Sequence, residues 1–441
     1  MKKSLLAVAA MTAFAGAAQA QSSVTVYGIM DVGYTNGSAQ ANGTAAGLGT
    51  SGVVKQNVSR ISNSMESGSR LGFRGTEDLG GGTAANFVFE LGLQPAGNAG
   101  TNSNSLNATN SPLNAAAASD SSNAGSPNWT PNVRQAYVGF TMKGIGDIRI
   151  GTQNTFNWEQ AGSNTVGQLN QTLGSMLAPT TDGAFFDNAY RRGTLSSAVN
   201  GSTLGAFTNR TTNTVTFRTD RIAGVQAKLG AVVSNQDTTQ TATAGTGTSN
   251  QYGYMTALDW NIAKANIQAS YQVFTSEVAS GAAAAPTTAT GSNAVAVANL
   301  PSNVPAVWGS GIQGNNIKDG QALITASYDF GILKAYAGWV NRSMTNVISA
   351  DKFAKRTAQE IGVRSFITPT IEGWASVGNG RYQAYGANNP TANITGYQLG
   401  GNYWLSKRTN LYTIYGQNQT SSTSIGSAAA SQVSVGARHT F

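Results

Sequence analysis

The charged side chains of this chain are sparse, and most fall in short stretches where polar and apolar residues alternate. Arg70, Arg74, Arg134, Arg149, Arg218, Lys334, Arg364 and Arg438 stand on the polar face of such stretches. The carboxylates that could answer them are Asp31 and Glu90, in similar stretches, and Glu159, Asp182 and Asp187, in a long irregular tract. The chemistry open to this set is Coulombic. It can attract or repel dissolved ions, and opposite charges facing each other across water would set up a transverse field that salt screens. Covalent chemistry has little to work with. The one histidine, His439, lies two residues from the C-terminus, so a Ser–His–Asp hydrolase or a His-ligated metal centre would have to use it. Cysteine is absent, which removes thiol chemistry. Residues 47–52 (GLGTSG) match G-x-G-x-x-G formally but lack a preceding strand and a following helix. The Asp/Asn loop residues have no calcium-loop spacing. The sequence predicts no enzyme, no cofactor and no metal.

The elements that must position these charges are strands. Residues 24–34 put Val24, Val26, Met30 and Val32 on one face and Thr25, Tyr27 and Asp31 on the other. Leu71 and Phe73 oppose Arg70 and Arg74. Ala85, Phe87, Phe89 and Leu91 oppose Asn86 and Glu90. Ile148 and Ile150 oppose Arg149, and Val215 and Phe217 oppose Thr216 and Arg218. Roughly sixteen such stretches of about ten residues follow one another, the length and even number of a membrane-crossing barrel. Their connections alternate between short turns and long Gly/Ser/Asn/Thr-rich loops, the asymmetry of outer-membrane barrels. Hydrocarbon offers no hydrogen-bond partner, so a spanning sheet must close on itself. The predicted fold is all-β: a transmembrane, antiparallel, up-and-down β-barrel of about sixteen strands.

The whole chain agrees. Residues 1–20 carry Lys2 and Lys3, a short apolar run and an Ala-Gln-Ala cleavage signal, and predict a secretory signal peptide that is cleaved. Residues 21–441 would form the barrel in the cell outer membrane, against its lipid. Only 10% of residues are charged, against about a quarter in a soluble domain. The formal net charge is +8, but Lys and Arg are spread singly, with no basic run, so nucleic acid is not a predicted partner.

A charge facing lipid at the bilayer midplane would cost about 2–4 kcal/mol, so the mid-strand basic residues belong inside the barrel. Residues 154–209 have no sustained alternation and are read as a loop folded into the lumen, bringing Glu159, Asp182 and Asp187 toward the wall. Arg191 and Arg192 rank lower, in the loop's return arm. A water-filled pore selects ions by its charged rings and its width, and this excess of basic residues predicts a weak anion preference.

Five segments, SRLGFRGTEDLGGG, RQAYVGF, NTVTFRTDRIAGVQAKLG, YWLSKRTNLYTIY and the ending VGARHTF, together resemble the trimeric general porins of Gram-negative outer membranes, of the neisserial and burkholderial kind. The resemblance covers essentially the whole mature chain. It implies a sixteen-stranded barrel, a homotrimer, passive diffusion of ions and small hydrophilic solutes, and a third external loop, here residues 154–209, that constricts the pore. The terminal Phe441 resembles the C-terminal signature read by the barrel-assembly machinery. Two departures stand out. Gly151-Thr152-Gln153 replaces the family's Gly-Arg-Gln before that loop, and Phe217-Arg218-Thr219-Asp220 replaces its Tyr-x-Ser-Pro after it. The alternatives are a substrate-selective channel for organic anions or sugars, and, from another class, a non-channel surface adhesin. Saturable block by one solute would mark the selective channel. An adhesin needs a further domain, for which the strands leave no room.

Overall fold

The computed structural model describes residues 23–44, 51–63, 65–93, 95, 132–177, 210–235, 249–278, 317–346, 352–384, 391–422 and 426–441. The predicted signal peptide (1–20), Asp182, Asp187, Arg191, Arg192 and the second half of the irregular tract lie outside the described residues.

Seventeen strands form one antiparallel sheet. They are β1 (Ser23–Thr44), β2 (Ser51–Asn63), β3 (Arg70–Gly80), β4 (Thr83–Gly92), β5 (Asn132–Met142), β6 (Gly146–Asn154), β7 (Arg210–Thr219), β8 (Val225–Asn235) and β9 (Ser249–Ile262). They continue as β10 (Ala265–Val278), β11 (Ile317–Asp329), β12 (Lys334–Asn346), β13 (Lys352–Phe366), β14 (Ile371–Ala384), β15 (Thr391–Trp404), β16 (Thr409–Ser422) and β17 (Gly426–Thr440). Each pairs with its neighbour in sequence, except that β2 and β3 both pair with β1, and β17 closes the sheet on β1. The strand ends joined by short turns lie at one rim, and the strand ends that flank the longer gaps lie at the other.

The extra strand does not enlarge the barrel, which has 16 positions. Along its upper part, from Val32 to Thr44, β1 pairs with β2; along its lower part, from Ser23 to Ile29, it pairs with β3. So β2 and β3 are two halves of one wall position, interrupted at residues 64–69. The sequence pattern marks no strand where β2 runs. Above the hydrocarbon both faces of β2 can be polar, so no alternation marks it.

In an antiparallel ladder directly paired residues share a face. One face carries the exposed apolar residues Val24, Val26, Val138, Phe140, Ile150, Leu229, Leu258, Trp260, Ile361, Val377 and Leu399, and is the lipid side. The opposite face carries Thr216, Gln268, Ser270, Gln272, Gln321, Ser376 and Gln398, all buried. This inside-out arrangement leaves the barrel without an ordinary apolar centre. Its interior is filled from one side by a loop.

Candidate functional site

That loop leaves β6 at Asn154. Thr155 caps a helix, α1 (Phe156–Ser163), by accepting the Trp158 amide at 3.3 Å on its hydroxyl. The helix was not visible in the sequence, because the face it buries is mixed. Phe156 packs on Val232, Met255 and Ala257 of the wall. Asn157 and Gln160 instead accept the Ser270 hydroxyl at 2.7 and 2.6 Å, and Gln160 donates to the Gln268 carbonyl at 2.9 Å and to Thr325 Oγ1 at 3.1 Å. A helix docked on a polar lumen wall shows no apolar stripe.

From Asn164 the loop runs on along β13–β16. Val166 packs with Met65, Tyr336, Trp374, Tyr412 and Ile414. Gln398 donates to the Thr172 and Leu173 carbonyls at 2.8 and 2.7 Å. The Leu173 carbonyl lies so close to Gly416 that a Cβ there would collide with it. The loop then reaches Glu360, which accepts the Ser175 hydroxyl at 2.8 Å and the Met176 amide at 2.6 Å, while Arg356 donates to the Met176 carbonyl. Residues 155–177 therefore line the inner wall from β8 to β16.

The arginines crowd the remaining wall, β17 through β8. Register puts Arg74 opposite Thr25, Arg70 opposite Ile29, Arg149 opposite Gly139, Arg218 opposite Asp147, and Arg438 opposite Asp31, all on the lumen side. Arg134 reaches that side by a register shift between Glu90 and Leu91, and binds Glu90 at 2.6 Å. Lys334 and Arg364 face each other across β12 and β13, on the far wall near the turns. Several of these cations lie over aromatic rings: Arg74 on Tyr27 (5.3 Å), Arg149 on Tyr137 (5.0 Å), Arg218 on Phe156 (5.7 Å), Lys334 on Tyr336 (5.1 Å), Arg364 on Trp374 (5.9 Å) and Arg438 on Trp404 (5.5 Å). Rings orient a guanidinium without cancelling its charge.

The acids sit differently from the facing row read from sequence. Glu159, on α1, is not held across open water: it contacts Arg218 at 2.7 Å and Lys228 at 3.2 Å. Burial alone would raise its pKa, but Arg218 and Lys228 outweigh burial and hold it below the ordinary glutamate range. Glu90 is tied to Arg134 and accepts the Tyr27 hydroxyl at 3.1 Å. Asp31 is fully buried on the lumen side, within a clasp of hydrogen bonds. It accepts the Glu66 and Ser67 amides at 2.9 and 2.6 Å and the Tyr412 hydroxyl at 2.7 Å. It thereby pins the interruption between β2 and β3 into the lumen.

Sequence reasoning missed several lumen groups. Lys228 and Arg342 follow the alternation of their own strands and were recoverable from it; Arg342 binds Asp319 at 2.7 Å in full burial. Glu66 binds Arg438 at 3.4 Å, Asp147 binds Arg149 at 2.5 Å, and Glu372 binds Arg364 at 3.3 Å. Arg210, the first residue of β7, lies 5.0 Å from the Trp158 ring and donates to Asn154 at 2.9 Å. Among the described residues Arg70, Arg74 and Arg210 have no carboxylate within ion-pair distance. Thr152, where an arginine stands in the resembling family, pairs with Ala136 on the face of Ile150, not the lumen face. The other departure locks a turn: Asp220 accepts the Gly144 amide at 2.6 Å, and Thr219 Oγ1 accepts the Ala227 amide at 3.0 Å. His439 is outward, beside Met30, with its ring near Phe441.

A family model described as Gram-negative porin matches residues 7–423. An outer membrane porin protein of Bordetella pertussis is 30% identical over an alignment of 476 positions that covers 100% of both chains. Outer membrane porin protein 32 of Delftia acidovorans is 52% identical over 92 residues, 20% of this chain and 22% of that one. Among solved structures, an anion-selective porin from Comamonas acidovorans matches 95% of this chain and 100% of its own with TM-score 0.58 at 19% identity. The trimer form of OmpT, an outer membrane protein of Vibrio cholerae, matches 95% of this chain and 99% of its own with TM-score 0.53 at 11% identity.

Proposed function

The chain belongs to the Gram-negative porin family, and from that premise we propose that its pore passes anions in preference to cations, with the loop of residues 155–177 and the arginine wall as its selective level. It is an outer-membrane porin, a barrel through which ions and small hydrophilic solutes diffuse passively. The family's members and structural neighbours are channels, not enzymes.

One observation carries the anion preference. Every lumen-side acid just described is engaged by a base, an amide or a hydroxyl, whereas Arg70, Arg74 and Arg210 have no described carboxylate within ion-pair distance, and Arg70 and Arg210 share with Arg134 the field of a single acid, Glu90. Arg70 and Arg210 each lie close enough to Arg134 to feel its repulsion. A group of like charges, two of them (Arg74 and Arg210) held over rings, raises the local concentration of counter-ions in the passage. The remaining basic residues, Arg134, Arg149, Arg218, Lys334, Arg364 and Arg438, shape this field less, because ion pairs or a position near the turns weaken them. Asp182 and Asp187 would oppose it from the loop's second half.

We propose further that the chain works as a homotrimer, the form in which the Vibrio cholerae protein was solved, and that Phe441 is the residue read by the barrel-assembly machinery. Single-channel reversal potentials in a salt gradient test the selectivity. Anion preference that falls in Arg70→Ser/Arg210→Ser supports it, and cation preference in the unaltered protein overturns it.

A further inference from the structure

Where the loop of residues 155–177 leaves the wall, the sheet changes partners. Among the described residues β5 and β6 pair as far as Ala136 and Thr152 and no further. β5 continues against β4 to Asn132, while β6 and β7 stay together to Asn154 and Arg210. The end of β6–β7 is thus a two-stranded ribbon released from β5. Alternation makes Gln153 and Thr211, both buried, the lumen-side pair of this ribbon, and Asn154 and Arg210 the pair on its other face. On a straight wall that other face would meet lipid. Instead the charges of Arg134, Glu90 and Arg70, all lumen groups, act on Arg210, and its guanidinium lies over the Trp158 ring of α1. The ribbon has therefore bent inward until its back faces the charges of β3–β5.

Two backbone features make the bend. Gly151 has φ 136°, a conformation open to glycine, and a Cβ there would collide with the Ala136 carbonyl. Next to it, Thr212 and Asn213 together face the single residue Thr152, which is a β-bulge. Asn213 has φ 51°, in the left-handed region that asparagine tolerates and β-branched residues resist. A bulge takes carbonyls out of the ladder, and buried carbonyls need donors. The Thr214 hydroxyl lies 3.1 Å from the Thr211 carbonyl and 3.0 Å from that of Thr212. The Gln153 amide donates to the Thr214 and Arg149 carbonyls at 3.0 and 3.2 Å and accepts the Thr216 hydroxyl at 2.7 Å. The bond from Gln153 back to Arg149 measures how sharply β6 turns, because four residues of straight strand span about 13 Å.

We propose that this bulge positions the selective level, with Asn213 as its specificity-determining residue. Asn213 is uncharged and exposed, so it contributes the backbone conformation it permits. That conformation tilts the ribbon inward, sets Arg210 beside Arg134 and starts the loop across the lumen. The proposal rests on the anion-selectivity reading, since it takes Arg210 as part of the selective level.

Thiol labelling tests the two readings separately, because the chain has no cysteine of its own. In Arg210→Cys, a negatively charged methanethiosulfonate reagent should lower the anion-to-cation permeability ratio, and a positively charged one should raise it, by roughly fivefold at low salt. Both effects should shrink to less than half when Arg210→Cys is combined with deletion of Asn213 or with Asn213→Val. They should return in full with Asn213→Gly, which keeps the left-handed conformation. Mass spectrometry reports complete labelling in each variant, and heat-modifiable gel mobility reports that each is folded. If the deletion does not assemble, Asn213→Val against Asn213→Gly decides alone. No effect of either reagent in Arg210→Cys by itself would sink the selectivity reading and this proposal with it. A full effect in every Asn213 variant would overturn this proposal and leave the selectivity reading standing.

Discussion

Glu159 on the lumen helix and Arg218 on the wall are in direct contact, with 2.7 Å between Oε1 and Nη2. The pair fastens the loop and removes one unit of positive charge from the passage at the same time. Lys228 shares the same carboxylate at 3.2 Å.

Glu159→Gln keeps the shape of the side chain and releases both cations. The anion-to-cation permeability ratio should rise. One freed charge beside the water path is worth about 1 kcal/mol, roughly a fivefold change at low salt. Reversal potentials should show the rise shrinking as salt increases. An unchanged ratio would separate Glu159 from selectivity.

Acid should act in the same direction. Because Glu159 titrates below the ordinary glutamate range of about 4.3, its grip on Arg218 and Lys228 is fully present above that range and is lost as pH falls through its own lower value. Anion preference should therefore hold steady from neutral pH to the ordinary range and climb only below it. In Glu159→Gln the climb should be absent. A climb beginning near pH 6 in both proteins would assign it to other groups.

Arg70→Ser, Arg74→Ser and Arg210→Ser should each reduce anion preference with little loss of stability, because none breaks an ion pair with a described carboxylate. Arg134→Ser should instead destabilise the barrel, since it strands Glu90, whose side chain is 6% exposed, without its partner. A penalty of about 3 kcal/mol fits such a stranded charge. Thermal unfolding followed on gels distinguishes the two outcomes.

Glu360→Ala removes the acceptor of Ser175 and Met176. The two loop donors lose partners worth about 2–3 kcal/mol together. Single-channel records should then show larger open-state noise, with the mean anion preference little altered. A quiet channel would mean that the packing of Leu173 and Met176 alone holds the loop.

Deleting Phe441 should lower outer-membrane assembly more than synthesis, measured by membrane fractionation and heat-modifiable mobility. The residue also closes a ring of contacts. Its amide and carbonyl bond the Gly28 carbonyl and amide at 3.1 Å each, and its ring lies over Gly28, where a Cβ would collide. Gly28→Val keeps Phe441 but displaces its ring. Normal assembly of Gly28→Val beside failed assembly of the deletion would assign the effect to recognition, and equal failure would assign it to the seam.

The barrel was legible because lipid on one side and water on the other force a period of two through each membrane-crossing stretch. Legibility stopped where that contrast stops. The upper part of β1, with Asn36, Ser38 and Gln40, and all of β2 stand where both faces can be polar, so they looked like loop. Arg210 was hidden for the same reason, at the loop end of β7. The pairing of the acids was illegible for another reason. Partners such as Glu66 and Arg438 are hundreds of residues apart, and only closure of the sheet makes them neighbours. The helix α1 was masked by the polar wall it binds.

The clasp at Asp31 bears on the order in which the protein is built. Its partners come from the interruption after β2 and from Tyr412 on β16, while its own strand meets β17 last of all. The Glu66 and Ser67 amides come from the same end of the chain, but the Tyr412 hydroxyl comes from the other, so the Oδ1 atom of Asp31 gains its partner only when the two ends have met. Asp31 thus ties the N-terminal hairpin to the closing strands and adds one hydrogen bond to the completed cylinder that an open sheet lacks.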